Sequence, residues 1–139
     1  MQQFPIHIAM NVWAILTAAV AKFLLGWLWY APFLYGKAWQ RLTGCTPEDM
    51  KARLPKAIAG DLLTSVIMAF VLVHAVRYAG ATTPAQGSAV GFLNWLGFVF
   101  VATFIPVLYE GRPFKLFLIN NGFHLLGLML MGAIIAVWV

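Results

Sequence analysis

Lys22-Phe-Leu-Leu-Gly-Trp-Leu-Trp-Tyr-Ala-Pro-Phe-Leu-Tyr-Gly-Lys-Ala-Trp39 passes from an apolar run holding one lysine, through a dense aromatic group, to a proline and a second lysine. Tryptophan and tyrosine favour the headgroup layer of a bilayer, because the ring is apolar while its N–H or O–H seeks water. Trp27, Trp29, Tyr30, Tyr35 and Trp39 therefore mark where a first helix leaves a membrane. Composition points the same way: 63% hydrophobic and 9% charged residues in a chain of 139 leave too little polar surface for a water-soluble ball. Apolar runs longer than about 18 residues can cross a hydrocarbon core of about 30 Å as helices, and the absence of period-2 alternation speaks against a β-barrel. The predicted fold class is all-α, a polytopic membrane protein. It forms one domain over 1–139, a bundle of four transmembrane helices at about 7–31, 55–78, 84–108 and 113–138. An interfacial segment and a short surface helix lie between helices 1 and 2.

Local signals set these bounds. Pro5 permits a start near His7, and Pro32 biases Ala31 out of the helical region. Asn11, Ile15, Ala18, Lys22, Gly26 and Trp29 then share one helix face, smaller and more polar than its flanks. In lipid such a face turns toward protein, since leucine is as well satisfied by lipid as by another helix. The segment Phe33–Leu54 reads as surface, its aromatic first half in the interface and its second half a short helix opened by Thr46, Pro47, Glu48 and Asp49. The second span starts near Pro55, carries Asp61 and Ser65 on one face, and stops at Arg77 and Tyr78. The third starts at Thr83 and Pro84 and contains Gly87-x-x-x-Gly91 and Asn94. The fourth carries Asn120, His124, Gly127 and Met131 on one face. Four helices cover little of one another's small-residue faces, so Gly87 and Gly91 predict a homo-oligomer.

Charge orients the bundle. One pair of loops holds Lys37, Arg41, Lys51, Arg53, Lys56, Arg112 and Lys115, and the opposite side only Arg77. The positive-inside rule places the basic loops in the cytoplasm and both termini outside. The formal charge of +5 then implies contact with anionic lipid headgroups at the inner face as partners, and no nucleic-acid surface.

Asn11, Gly26-x-x-Trp29-Tyr30, Gly36-x-x-Trp39, the step Arg112-Pro113, Ile119-Asn120 and a closing glycine-rich helix together resemble a bacterial family of small four-helix membrane proteins, catalogued only as a domain of unknown function. The resemblance spans nearly the whole chain. It implies four spans in a bacterial inner (plasma) membrane, and it marks Asn11, Gly26, Trp29, Tyr30, Gly36, Trp39 and Asn120 as positions to test. It implies no activity. Lys22, Asp61 and His124 are outside its pattern, so their weight comes from physics alone.

No metal, cofactor or nucleophile motif is legible. His74 and His124 sit at different depths along their helices, which makes them poor axial partners for one haem. Two function classes remain for the polar set Asn11, Lys22, Asp61, Asn94, Asn120 and His124. In the first the set lines the path of a small carrier or pore, because ionisable groups inside a membrane are functional candidates. In the second it supplies helix-to-helix hydrogen bonds in an oligomeric structural or accessory protein, which is the preferred reading, with an enzyme third. Lys22 and Asp61 are the charges embedded in spans, and a mutual pair competes with Asn94 or His124 as the partner of Lys22. Cys45, in the first basic loop, reports the orientation: an impermeant thiol reagent is expected to spare it in intact cells and label it after permeabilisation. Strong labelling of intact cells would reverse the topology.

Overall fold

The computed structural model describes residues 11–138. Its elements are α1 (Val12–Trp29), α2 (Gly36–Thr43), α3 (Pro47–Tyr78), α4 (Pro84–Asn94), a π-helical segment (Trp95–Phe100), α5 (Val101–Glu110) and α6 (Phe114–Trp138). Four helices are long and apolar enough to cross a membrane: α1, α3, the continuous run Pro84–Glu110, and α6. Helix α2, the first part of α3, the α5–α6 connection and the first turn of α6 carry the seven clustered lysines and arginines, and this end is called the basic end below.

Several boundaries depart from the expected ones. Asn11 is not part of a helix face; its extended backbone and side-chain carbonyl, which accepts from the N–H groups of Trp13 and Ala14, make it the N-cap of α1. The expected start at His7 lies outside the described residues. Helix α1 closes at Trp29, two residues before the expected end, and Pro32 follows in the turn.

The surface helix between the first two spans is α2, and the expected short helix over Pro47–Leu54 is instead the first part of α3. That helix opens with a capping box between Thr46 and Asp49, with Pro47 in its first turn. It then continues through Pro55. The ring removes one backbone donor and leaves the carbonyl of Lys51 without it. Residues 51–57 are exposed, so water or headgroups can take that carbonyl and the helix need not stop. At about 1.5 Å per residue, 32 residues extend about 48 Å, well beyond a hydrocarbon core, so the charged first turns project from the basic end.

The third span is bent in its hydrogen bonding. Between α4 and α5 the ladder widens to π-helical over six residues, which leaves backbone carbonyls short of donors. The Thr103 hydroxyl supplies one, donating to the carbonyl of Val99 at 2.6 Å.

The core is built from small and branched residues: Ile15, Ala18 and Ala19 on α1, Ala69, Leu72, Val73 and Val76 on α3, and Leu128, Met131, Ile135 and Ala136 on α6. Large side chains such as Trp13, Leu24, Val71 and Phe98 point outward. Lipid would solvate those as well as protein does, so close packing of small residues holds the helices.

The clearest instance is α4 on α6. A Cβ on Gly87 would strike the carbonyl of Gly132, and one on Gly91 the carbonyl of Leu128. The Gly87-x-x-x-Gly91 groove is thus filled within the chain, which removes the argument that predicted self-association from it. Gly91→Ala is expected to cost about 2 kcal/mol through overpacking. Gly97→Ala, whose Cβ meets open space, is expected to stay within about 0.5 kcal/mol of the parent. Unfolding in mild detergent compares them, and equal stabilities would mean that α4 and α6 are not in contact.

Candidate functional site

Lys22 stands midway along α1 and is 5% exposed. Its ammonium enters a space bounded by one pair of residues a turn apart on each neighbouring helix. From α3, Ser65 accepts a hydrogen bond from Nζ at 3.0 Å, and Asp61 sets a carboxylate oxygen 3.5 Å away. Ser65 in turn donates to that same oxygen at 3.3 Å, so hydroxyl, carboxylate and ammonium close a triangle. From α6, the ring of Phe123 lies 5.5 Å from the ammonium, within cation–π reach, and Gly127 leaves room for the lysine stem. The i,i+4 spacing of Asp61 with Ser65, and of Phe123 with Gly127, puts each pair on one face.

The two partners differ in burial. The Lys22 side chain is 7% exposed and that of Asp61 44%, so the cation is enclosed while its counter-charge opens to the surroundings. Lysine within hydrogen-bond distance of serine is also the layout of a nucleophile beside a base. Here Asp61 supplies the counter-charge, the hydroxyl is already engaged with it, and Ser65 is fully buried. The triangle therefore ties α1 to α3 through one shared cation.

A second set of contacts begins at Phe123 and continues to the basic end. Tyr30 sets its ring edge-on to Phe123, with centroids 5.6 Å apart, and donates its hydroxyl to Asn120 at 2.7 Å. One residue earlier, the Trp29 indole N–H donates to the carbonyl of Ile119 at 2.9 Å, and the ring fits over Gly122. Gly26 faces the Phe123 ring, and Gly36 lies so close to the Tyr30 carbonyl that any side chain there would collide with it. Trp39 on α2 meets the ring of Tyr30 at 6.1 Å. Gly26, Trp29, Tyr30, Gly36, Trp39 and Asn120 thus form one clamp joining α1, α2 and α6.

The predicted polar set divides. Lys22 and Asp61 meet directly, and Asn120 serves the clamp. Asn94 donates to the carbonyl of Val90 in its own helix and makes no bond to Lys22. Asn11 is a helix cap.

His124 follows Phe123 on α6, and their rings lie 5.4 Å apart between centroids. Its Nδ1 is buried with no hydrogen-bond partner among the described residues. It lines a cleft of about 250 Å³ between α5 and α6, together with Thr103, Asn120 and Asn121. Asn121 donates to Thr103 at 3.0 Å across that cleft, a bond that joins α6 to the first turn of α5.

Sequence reading missed four contributors: Ser65 as the bridging hydroxyl, Phe123, Asn121 and Thr103. The i,i+4 relation of Asp61 to Ser65 was a usable signal. Nothing in the sequence marks Phe123 out from the chain's other phenylalanines.

A family model described as a protein of unknown function (DUF1761) matches residues 13–136, and the chain belongs to that family. The resemblance to an uncharacterised family is thereby upheld. No curated protein and no solved structure matches the chain.

Unequal burial of the two charges gives unequal costs. Asp61→Leu leaves an enclosed ammonium without its counter-charge and is expected to cost about 3 kcal/mol. Lys22→Met leaves a half-exposed carboxyl that can take up a proton, and is expected to cost less. The double variant is expected to recover most of the loss in a double-mutant cycle read by detergent unfolding. Additive losses would show that the two residues do not interact.

Proposed function

We propose that this member of the DUF1761 family is a membrane-spanning accessory protein, in which the polar groups of the spans hold the bundle together instead of lining a path for a solute. The observation that carries this reading is the enclosure of Lys22: the ammonium is used up by Asp61, Ser65 and the face of Phe123. Most other polar side chains between the helices are committed in the same way, Asn120 to Tyr30, Asn121 to Thr103, Trp29 to the Ile119 carbonyl and Ser88 to the Met129 carbonyl. A pathway residue must be free to exchange partners with what passes, and these are not. In this reading the chain sits in a bacterial plasma membrane with the basic end in the cytoplasm, as the distribution of lysine and arginine demands.

A second reading, a small carrier, is favoured by the α5–α6 cleft alone. There the Nδ1 of His124 is unpartnered among the described residues, and outside the cleft, on α3, the half-exposed carboxylate of Asp61 is the second group a proton relay would need.

Flux separates the two. The purified chain in liposomes holding a pH-sensitive dye, under an imposed potential, is expected to pass no more protons than protein-free vesicles. Potential-driven flux that Asp61→Asn or His124→Ala abolishes would establish the carrier in place of the accessory role.

A further inference from the structure

Two cavities meet where α2 lies across the start of α6. One, of about 160 Å³, is lined by Ala38, Arg41, Leu42 and Lys115. The other, of about 320 Å³, has Ala38 and Lys115 in common with it and continues between the rings of Trp29 and Tyr35 and the side chain of Leu118. The first is cationic and the second aromatic and apolar, with small Ala38 at the junction.

Few groups in the sequence could neutralise the two cations of the first cavity. Only four acidic residues exist, Glu48, Asp49, Asp61 and Glu110. Asp61 is paired with Lys22, Glu110 with Arg112, Asp49 is tied to the backbone of Thr46, and Glu48 stands beside it in the first turn of α3. Neither Arg41 nor Lys115 has an ion-pair partner among the described residues. Lys115 also occupies the first turn of α6, where the helix dipole is positive and a cation is disfavoured. Two like charges and a positive helix end facing one cavity call for an anion from outside.

The neighbouring groove says what the anion is attached to. Its tryptophan is fixed by the bond to Ile119 and by stacking on Tyr35, with centroids 4.6 Å apart, so the apolar wall is preformed. A phosphate beside a preformed apolar channel, at the end of the bundle where headgroups lie, is the chemistry of a phospholipid.

We propose that this junction is a binding site for one anionic phospholipid, with its phosphate between Arg41 and Lys115 and an acyl chain along Trp29, Tyr35 and Leu118. The site stands whether the bundle is an accessory protein or a carrier.

Native mass spectrometry of the full chain in mild detergent, titrated with dioleoyl phosphatidylglycerol, dioleoyl phosphatidylcholine or inorganic phosphate, tests it. One phosphatidylglycerol is expected to bind about tenfold or more tighter than phosphatidylcholine, a preference that two cations at the headgroup can supply. Arg41→Gln with Lys115→Gln is expected to abolish the preference, and Lys51→Gln with Arg53→Gln, an equal loss of charge on α3, to keep it. Ala38→Trp, which blocks the junction without touching charge, is expected to reduce binding, and Leu118→Gln replaces it should that variant not fold. The proposal is overturned if the α3 control weakens binding as much as the Arg41 and Lys115 pair, or if blocking the groove has no effect. Displacement of the lipid by inorganic phosphate alone would overturn it equally, since the site would then hold a free anion.

Discussion

An ammonium group in hydrocarbon costs about 2.5–3.5 kcal/mol on insertion scales, and the placing of three helices around Lys22 answers that cost. Helix α1 brings the cation, α3 brings a carboxylate and a hydroxyl one turn apart, and α6 brings an aromatic face with a glycine one turn beyond it. None of the three could rotate or slide by a full turn without exposing the charge. Leucine-rich helices in lipid otherwise have little to choose between one rotation and another, because lipid and protein solvate their side chains alike. The ion pair therefore acts mainly on specificity: it selects the register at which the small-residue faces of α1, α3 and α6 meet.

From that register the clamp follows. With α1 fixed on α6 at Phe123, the next turns bring Tyr30 to Asn120 and Trp29 to Ile119, and the tight turn at Gly36 folds α2 back over the end of the pair. The positions by which the chain resembles its family are thus largely contacts of one another. That explains how a recognisable pattern can arise from contacts that hold the helices together. On the other side of α6, the contact with α4 is close packing at Gly87 and Gly91 with one hydrogen bond beside it, from the Ser88 hydroxyl to the Met129 carbonyl. Beyond the π-helical segment α5 buries no residue, and the cleft beside His124 opens there.

Much of this was legible in the sequence, for uneven reasons. Four helices long and apolar enough to cross a membrane were expected from composition, and the two charges within them stood out because each would be costly alone. The second span was expected to begin near Pro55, and α3 in fact begins at Pro47. Proline does not set that boundary, because the carbonyl it strands is exposed and can be satisfied from outside the helix. Asn11 was misassigned because a residue at helical spacing and a helix cap look alike until the backbone is known. The glycine groove was read correctly as a contact surface, but a sequence does not say which helix fills it. The π-helical segment is six apolar residues with no punctuation at all.

The central claim, that Lys22 is held by Asp61 inside the bundle, is tested most directly by solid-state NMR of the chain in lipid bilayers, with the lysine side-chain nitrogen and the aspartate carboxyl carbon isotopically labelled. The account predicts a strong through-space correlation between Lys22 Nζ and the Asp61 carboxylate, as their 3.5 Å approach requires, and no exchange of the ammonium with bulk water. A Lys22 signal that correlates with water or lipid and not with Asp61 would contradict it.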